Sequence, residues 1–187
     1  MFSKILIANR GEIACRIIRT AQKTGIRTVS VYSDVDINSP HVALADESVN
    51  IGGITSAESY LNINKIIEAM NKTNADAVHP GYGFLSENVK FSDAVEKAGK
   101  IFIGPPSSAI SVMGDKIKSK KIAKESGVSV VPGGIKIINS VEEAIKEANS
   151  IKYPVMVKAS AGGGGKGMRI AFDDKELREN FNSAINE

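Results

Sequence analysis

The sequence predicts an α/β protein: a doubly wound domain on a parallel sheet, followed by a smaller α+β unit. Three observations carry this reading. Short apolar runs alternate with helix-period segments over residues 4–103, the order that builds a parallel sheet covered on both faces. Gly104-Pro105-Pro106 interrupts that order. Beyond it, two strand-like runs flank a long glycine stretch, a hairpin-like arrangement unlike the alternation before it.

The elements follow in order. Ile5 to Ala8 is a short apolar run suited to a buried parallel strand. Asn9-Arg10-Gly11-Glu12 turns the chain, and Ile13, Ala14, Ile17, Ile18 and Ala21 then recur at helical spacing. Gly25 ends that helix as a left-handed cap. Thr28 to Tyr32, rich in β-branched residues, is the second strand, and Ser48 to Ile51 a shorter third. Ile63, Ile66, Ile67 and Met70 mark a helix, with a strand from Ala75 to His79 after it. Val89 to Ala98 is helical, Ile101 to Ile103 is a strand, and Asp115 to Glu125 reads as a basic helix. In the second unit a strand is expected near Ile135 to Ile138 and a helix from Ser140 to Asn149. Ser140 and Glu143 form a capping box there. Pro154 to Ala159 and Met168 to Phe172 are strands around the glycine stretch, and Asp173 or Asp174 caps a last helix. The domains are drawn at residues 1–105 and 131–187, with linker helices over 106–130.

Composition narrows the function classes. Hydrophobic residues are 42% and charged residues 24%, ordinary globular usage that excludes a disordered tail, a collagen-like repeat and a coiled coil. A formal net charge of +3 is weak support for nucleic-acid or membrane binding. The single cysteine, Cys15, cannot form an internal disulfide or a cysteine zinc site, which fits a reducing compartment. The N-terminal apolar run is too short for a signal segment, and no run approaches the roughly 18 apolar residues of a membrane span. The expected location is cytoplasmic.

The strongest local signal runs from Lys158 to Met168. It holds Gly162, Gly163, Gly164 and Gly165 in succession, then Lys166 and Gly167. Consecutive glycines cost conformational entropy, and their use is close approach of backbone N–H groups to phosphate oxygens. Lys158 and Lys166 supply cations beside them. A plain surface hairpin loop is the alternative, and the two flanking lysines favour phosphate. The spacing is not a P-loop, because Lys166 is followed by Gly167 rather than Ser or Thr and no helix follows. A dinucleotide fingerprint is absent too, since the first strand–helix turn carries one glycine, Gly11.

A second motif, His79 to Asn88, follows a predicted strand, where open α/β sheets bind ligands. Tyr82 offers a flat face with a hydroxyl, and Glu87 a carboxylate. A turn ahead of a helix capped by Ser86 fits the same residues equally well. Lys116, Lys120 and Lys124 share one helix face, commonly a solvated one. No aromatics interleave with them as a single-strand nucleic-acid binder would need. Cys15 lies off the Ile13/Ile17/Ala21 stripe and reads as a helix-flank residue. His41 and His79 lack metal-ligand spacing, and the Asn71-Lys72-Thr73 sequon carries no meaning in a cytosolic chain.

Together these motifs resemble the N-terminal part of biotin carboxylase, an ATP-grasp enzyme. The resemblance runs end to end, through Ile7 to Ala14, Ser59 to Asn62, His79 to Asn88, Met113 to Lys116 and Lys158 to Arg169, collinear and at family spacing. The stretch from Lys158 to Ala171 looks most like acyl-CoA carboxylases of the propionyl-CoA type, and the acetyl-CoA, methylcrotonyl-CoA and pyruvate enzymes share most of it. The resemblance implies a Rossmann-like first domain and a partial ATP-grasp lid.

Such enzymes use MgATP to activate bicarbonate as carboxyphosphate, then carboxylate N1′ of biotin on a carrier domain. Lys116 and Lys158 match the family's ATP-binding lysines. Gly162, Gly163, Gly164, Gly165, Lys166 and Met168 match the glycine loop of the mobile lid. Tyr82 and Gly83 fall where the first domain borders the biotin site. The Mg2+-binding glutamates, the bicarbonate- and biotin-contacting arginines and the general base belong to a third domain that would follow residue 187, so no catalytic or metal-binding residue is assigned here. The implied function is the biotin carboxylase component of a propionyl-CoA or acetyl-CoA carboxylase. A catalytically inactive fragment that binds nucleotide or a partner is the alternative. ATP, Mg2+ and biotin are the implied cofactors. The implied partners are bicarbonate, a biotin carrier domain, a carboxyltransferase subunit and a second copy of the chain through its first domain, with no nucleic acid and no membrane.

Overall fold

Strands buried on both faces have only a few ways to be covered, and the first unit takes the doubly wound one. The computed structural model describes residues 2–134, 136–158 and 168–185. It divides into two units, Met1–Gly114 and Asp115–Glu187. In the first, β1 (Lys4–Ile7) leads to α1 (Gly11–Lys23), β2 (Arg27–Tyr32), α2 (Pro40–Leu44) and β3 (Glu47–Asn50). Then come α3 (Ile63–Thr73), β4 (Ala77–His79), α4 (Val89–Lys97), β5 (Ile101–Phe102) and α5 (Ser107–Gly114). The five strands run in the order β3-β2-β1-β4-β5, and every pairing is parallel.

The two-residue side-chain period of β1 explains both faces of the core. Leu6 points into a cluster with Val29, Val31, Ile66, Met70 and Phe91. Ile5 and Ile7 point the other way, against Ala14, Ile18 and Ala21 of α1. Cys15 is buried too, so it is not a helix-flank residue: the buried stripe of α1 is Ala14, Cys15, Ile18 and Ala21, one position off the stripe that the isoleucines suggest. Gly25, at φ +75°, ends α1 as expected.

The second unit holds α6 (Lys116–Glu125), α7 (Val141–Ile151), β6 (Val155–Lys158), β7 (Met168–Ala171) and α8 (Asp174–Ile185). Residues 106–130 straddle the division, with α5 on one side and α6 on the other. Ser140 caps α7 by accepting the Glu143 N–H at 3.2 Å. Asp173 caps α8 in the same way, accepting the Glu176 N–H at 2.9 Å. The strand expected near Ile135 to Ile138 is not formed over its described part, residues 136–138. Among the described residues, the second unit's sheet is β6 paired antiparallel with β7, and neither edge pairs with 136–138.

One ionic cluster ties the segments that follow β1 and β2. Arg10 donates through Nε to Asp36 Oδ2 at 2.6 Å and through Nη2 to Oδ1. The Tyr60 hydroxyl donates to Oδ2 at 2.7 Å, and the Ser33 and Ser39 hydroxyls add bonds at 3.2 and 3.0 Å. These donors, Arg10 first, hold the buried Asp36 carboxyl far below the usual carboxylate range and raise the Arg10 guanidinium in turn. Because the folded state lowers this pKa, the carboxylate adds stability that is full above pH about 4 and is lost as pH falls below that.

Two outcomes follow for the isolated chain. Ile18→Ala should lower its unfolding free energy by about 2–4 kcal/mol, while exposed Ile54→Ala should change it by less than about 0.5 kcal/mol, both read by urea unfolding. Asp36→Asn should cost about 2–3 kcal/mol at pH 7, below the usual figure for a buried pair because Arg10 is half-exposed. Its gap to the parent should narrow as pH drops below about 4; a gap constant from pH 7 to 3 would refute the carboxylate's role.

Candidate functional site

Parallel sheets bind ligands beyond the carboxyl ends of their strands, at the point where the strand order reverses. The chain winds outward from β1 to β3 on one side and from β4 to β5 on the other, so that point lies between β1 and β4. The segments leaving it are Asn9-Arg10 after β1 and His79 to Asn88 after β4.

The loop after β4 has a specific backbone. Gly81 and Gly83 lie at φ +69° and +68°, and Phe84 at φ +40°. A Cβ on Gly81 would stand 2.6 Å from Asn9 Nδ2 and 2.9 Å from Ile13 Cγ2, so only glycine lets the loop approach the β1–α1 connection and the start of α1 this closely. Phe84 accepts a left-handed conformation that a large side chain rarely takes. Its ring is held by stacking on Tyr60, with centroids 5.3 Å apart and planes 12° from parallel. The Tyr82 side chain is 71% exposed, and Glu87 is exposed as well. Helix α4 is capped by Asn88, which accepts the Phe91 N–H at 3.1 Å; Ser86 lies in the turn before it and is not the cap.

Burial disfavours charge on both histidines of the first unit. His79 is held neutral by burial, and its Nδ1 accepts the Gly81 N–H at 3.0 Å. His41, wholly buried, is likewise lowered by burial. Its Nδ1 accepts the Gly11 N–H at 3.4 Å, and its Nε2–H donates to the Val31 carbonyl at 3.3 Å. A cavity of about 180 Å3, lined in part by Arg10, Ser33, Asp36, Ser59, Tyr60 and Phe84, adjoins the loop. It is too small for a drug-sized ligand.

The other candidate residues lie in the second unit. Lys158 ends β6 and Met168 opens β7, and the two are directly paired across the ladder. Val155 and Ala171 point into the core, while the alternate positions Met156, Lys158, Met168 and Ile170 are exposed on the outward face. This face presents three apolar side chains beside one ammonium. Gly162, Gly163, Gly164, Gly165 and Lys166 lie outside the described residues, as does the side chain of Lys116. Lys116 opens α6, whose cap Asp115 accepts the N–H groups of Ile117 and Lys118 at 2.9 and 3.0 Å. Lys120, on the same face, is engaged with the Gly133 carbonyl at 2.9 Å.

The structure thus brings Tyr82 and Gly83 together in one loop, and Lys158 and Met168 together on one hairpin face, in separate units. Among the described residues, no three His, Cys, Asp or Glu side chains converge as a metal site requires. Nor is any of their helices long and apolar enough to cross a membrane. The sequence reading missed Asn9, Asp36 and Tyr60 as a connected support for the loop. Only Asn9 and Tyr60 lay within motifs it had noted.

Two family descriptions match in tandem: the N-terminal domain of biotin carboxylase over residues 1–110, and the ATP-binding domain of the carbamoyl-phosphate synthase L chain over residues 115–187. The propionyl-CoA carboxylase alpha chain of Ruegeria pomeroyi is 61% identical across all 187 residues, which make up 28% of its length. The biotin carboxylase of Campylobacter jejuni, solved as a β,γ-ATP complex, superposes with a TM-score of 0.92 at 45% identity. The match covers 100% of this chain and 42% of that one. The biotin carboxylase domain dimer of Hydrogenobacter thermophilus 2-oxoglutarate carboxylase, solved with MgADP, ADP and bicarbonate, gives a TM-score of 0.89 at 47% identity. It covers 100% of this chain and 41% of that one. The chain spans between 28% and 42% of these three relatives, and with its first domain matched throughout, it belongs to the biotin carboxylase family.

Proposed function

We propose that this chain supplies the nucleotide-gripping lysines and glycine loop of a biotin carboxylase, together with one wall of its biotin pocket. The observation that carries the reading is the outward face of the β6–β7 hairpin. Met156, Met168 and Ile170 offer an apolar surface for a flat base, and Lys158 stands at the mouth of the glycine stretch, where a polyphosphate would run. Lys116 adds a second cation, and Gly162 to Gly165 with Lys166 provide backbone N–H groups and charge for the phosphates. MgATP supplies the energy for activating bicarbonate. The work of these residues is to bind and orient it, and to exclude water from a labile acyl phosphate when the lid closes.

In the first unit, Tyr82 and Gly83 border the biotin ring, as their place beyond β4 at the strand-order reversal supports. The final acceptor is propionyl-CoA, the reading that the similarity to the Ruegeria pomeroyi chain supports. A biotin carrier domain and a carboxyltransferase subunit are the partners. Pairing of two copies through the first unit, in a cytoplasmic setting, accords with the dimeric Hydrogenobacter thermophilus relative.

Because the chain spans 28% of that propionyl-CoA carboxylase relative, its residues form part of a nucleotide cleft. The 187 residues alone should show no bicarbonate-dependent ATP hydrolysis with free biotin, and calorimetry should find MgATP binding weaker than about 1 μM. Turnover above background, or a tighter constant, would contradict this. Grafted in place of the matching segment of the Ruegeria pomeroyi chain, the same residues should support turnover. Lys158→Gln in that graft should raise the KM for MgATP about tenfold with little change for biotin.

A further inference from the structure

We propose that Asn9 is a positioning residue for the biotin pocket: its amide fixes the loop that carries Tyr82 and Gly83. This rests on the reading of those two residues as the pocket wall. Asn9 is the second residue past β1, is 3% exposed, and engages both polar atoms of its side chain. Its Nδ2 donates to the Pro80 carbonyl at 2.8 Å and to the Tyr82 carbonyl at 3.0 Å. Its Oδ1 accepts the Arg10 N–H at 2.9 Å. One side chain therefore bridges the ends of β1 and β4 across the strand-order reversal.

The direction of these bonds matters. Both loop carbonyls are drawn inward to the same nitrogen, which leaves the Tyr82 ring and the Gly83 backbone facing outward. Gly81, pressed against that nitrogen, has no side chain to hold it away. Of the turn's other ties, Ser86 N–H to the Gly83 carbonyl at 2.9 Å and Asn88 N–H to the Leu85 carbonyl at 3.1 Å are internal to it, and Gly81 N–H reaches back to His79 Nδ1 of its own strand β4 at 3.0 Å, whereas the Asn9 amide reaches the loop from the β1 side. Aspartate has the shape of asparagine but no N–H to donate, and would set a carboxylate oxygen against two carbonyls. Alanine leaves both carbonyls without their partner.

The test uses the Ruegeria pomeroyi chain carrying these 187 residues, assayed with free biotin, bicarbonate and MgATP. Asn9→Ala and Asn9→Asp should each raise the KM for biotin about tenfold, the aspartate more, while the KM for MgATP stays within about twofold. A merely structural role would instead reduce the amount of folded enzyme, lowering kcat without moving either KM. Gly81→Ala, which wedges against the amide without removing it, should shift the biotin KM in the same direction. An unchanged biotin KM in folded Asn9 variants, equal shifts in both KM values, or failure of every position-9 variant to fold would overturn the proposal. Tyr82→Ala separates the two levels. If it leaves the biotin KM unchanged, the pocket reading itself fails; if it raises that KM while the Asn9 variants do not, only the role of Asn9 fails.

Discussion

The carboxylate of Asp36 is the point on which the loop-bearing edge of the first unit depends. It is buried, and burying a charge is costly unless donors surround it. Here the donors come from separate stretches of chain: Arg10 after β1, Ser33 and Ser39 on either side of Asp36, and Tyr60 ahead of α3. Satisfying one anion therefore fixes the relative position of segments that the sheet alone would leave loose. Tyr60 passes that order on, because the ring whose hydroxyl reaches Asp36 also stacks on Phe84. An ion pair with this many neutral hydrogen bonds gives geometric definition more than net stability, since desolvation offsets much of its attraction.

The second unit solves a different problem with less material. A two-stranded hairpin is marginal alone, and it is completed by α7 and α8, which bury Val155 and Ala171 with Ala144, Ala148, Leu177 and Phe181. Covering one face leaves the other exposed, and that face carries two methionines and an isoleucine beside Lys158. Unbranched, polarisable methionine side chains pack adaptably, without a fixed mould.

Much of the architecture was legible in the chain. β1 and β4 are short, largely apolar runs, β2 is rich in β-branched residues, and α1, α3 and α4 carry clear helical periods between them, so the alternation of a parallel sheet could be read directly. The caps at Ser140 and Asp173 were visible because capping is local in sequence. What could not be read came from distance. α2 is five residues long, too short for a period, and residues 136–138 have strand-like chemistry but no strand to pair with. In the candidate site, Tyr82, Gly83, Lys158 and Met168 stood out through motifs, whereas Asp36 stood outside every one and Asn9, though within the Ile7 to Ala14 motif, had no role of its own there. Their roles exist only once β1, β2 and β4 lie side by side.

Helix α1 begins without a side-chain cap from Arg10, and the N–H of its first residue, Gly11, is met instead by the ring nitrogen of buried His41. An imidazole accepts there only while it is neutral. The start of the helix that backs the ligand edge is thus joined to strand β2 through a single lone pair, with the opposite ring nitrogen donating to Val31. Adding one proton turns that acceptor into a second donor facing the positive end of a helix. The fold has in effect made the acid–base state of one buried histidine a condition for the chain's first turn after β1 to keep its shape.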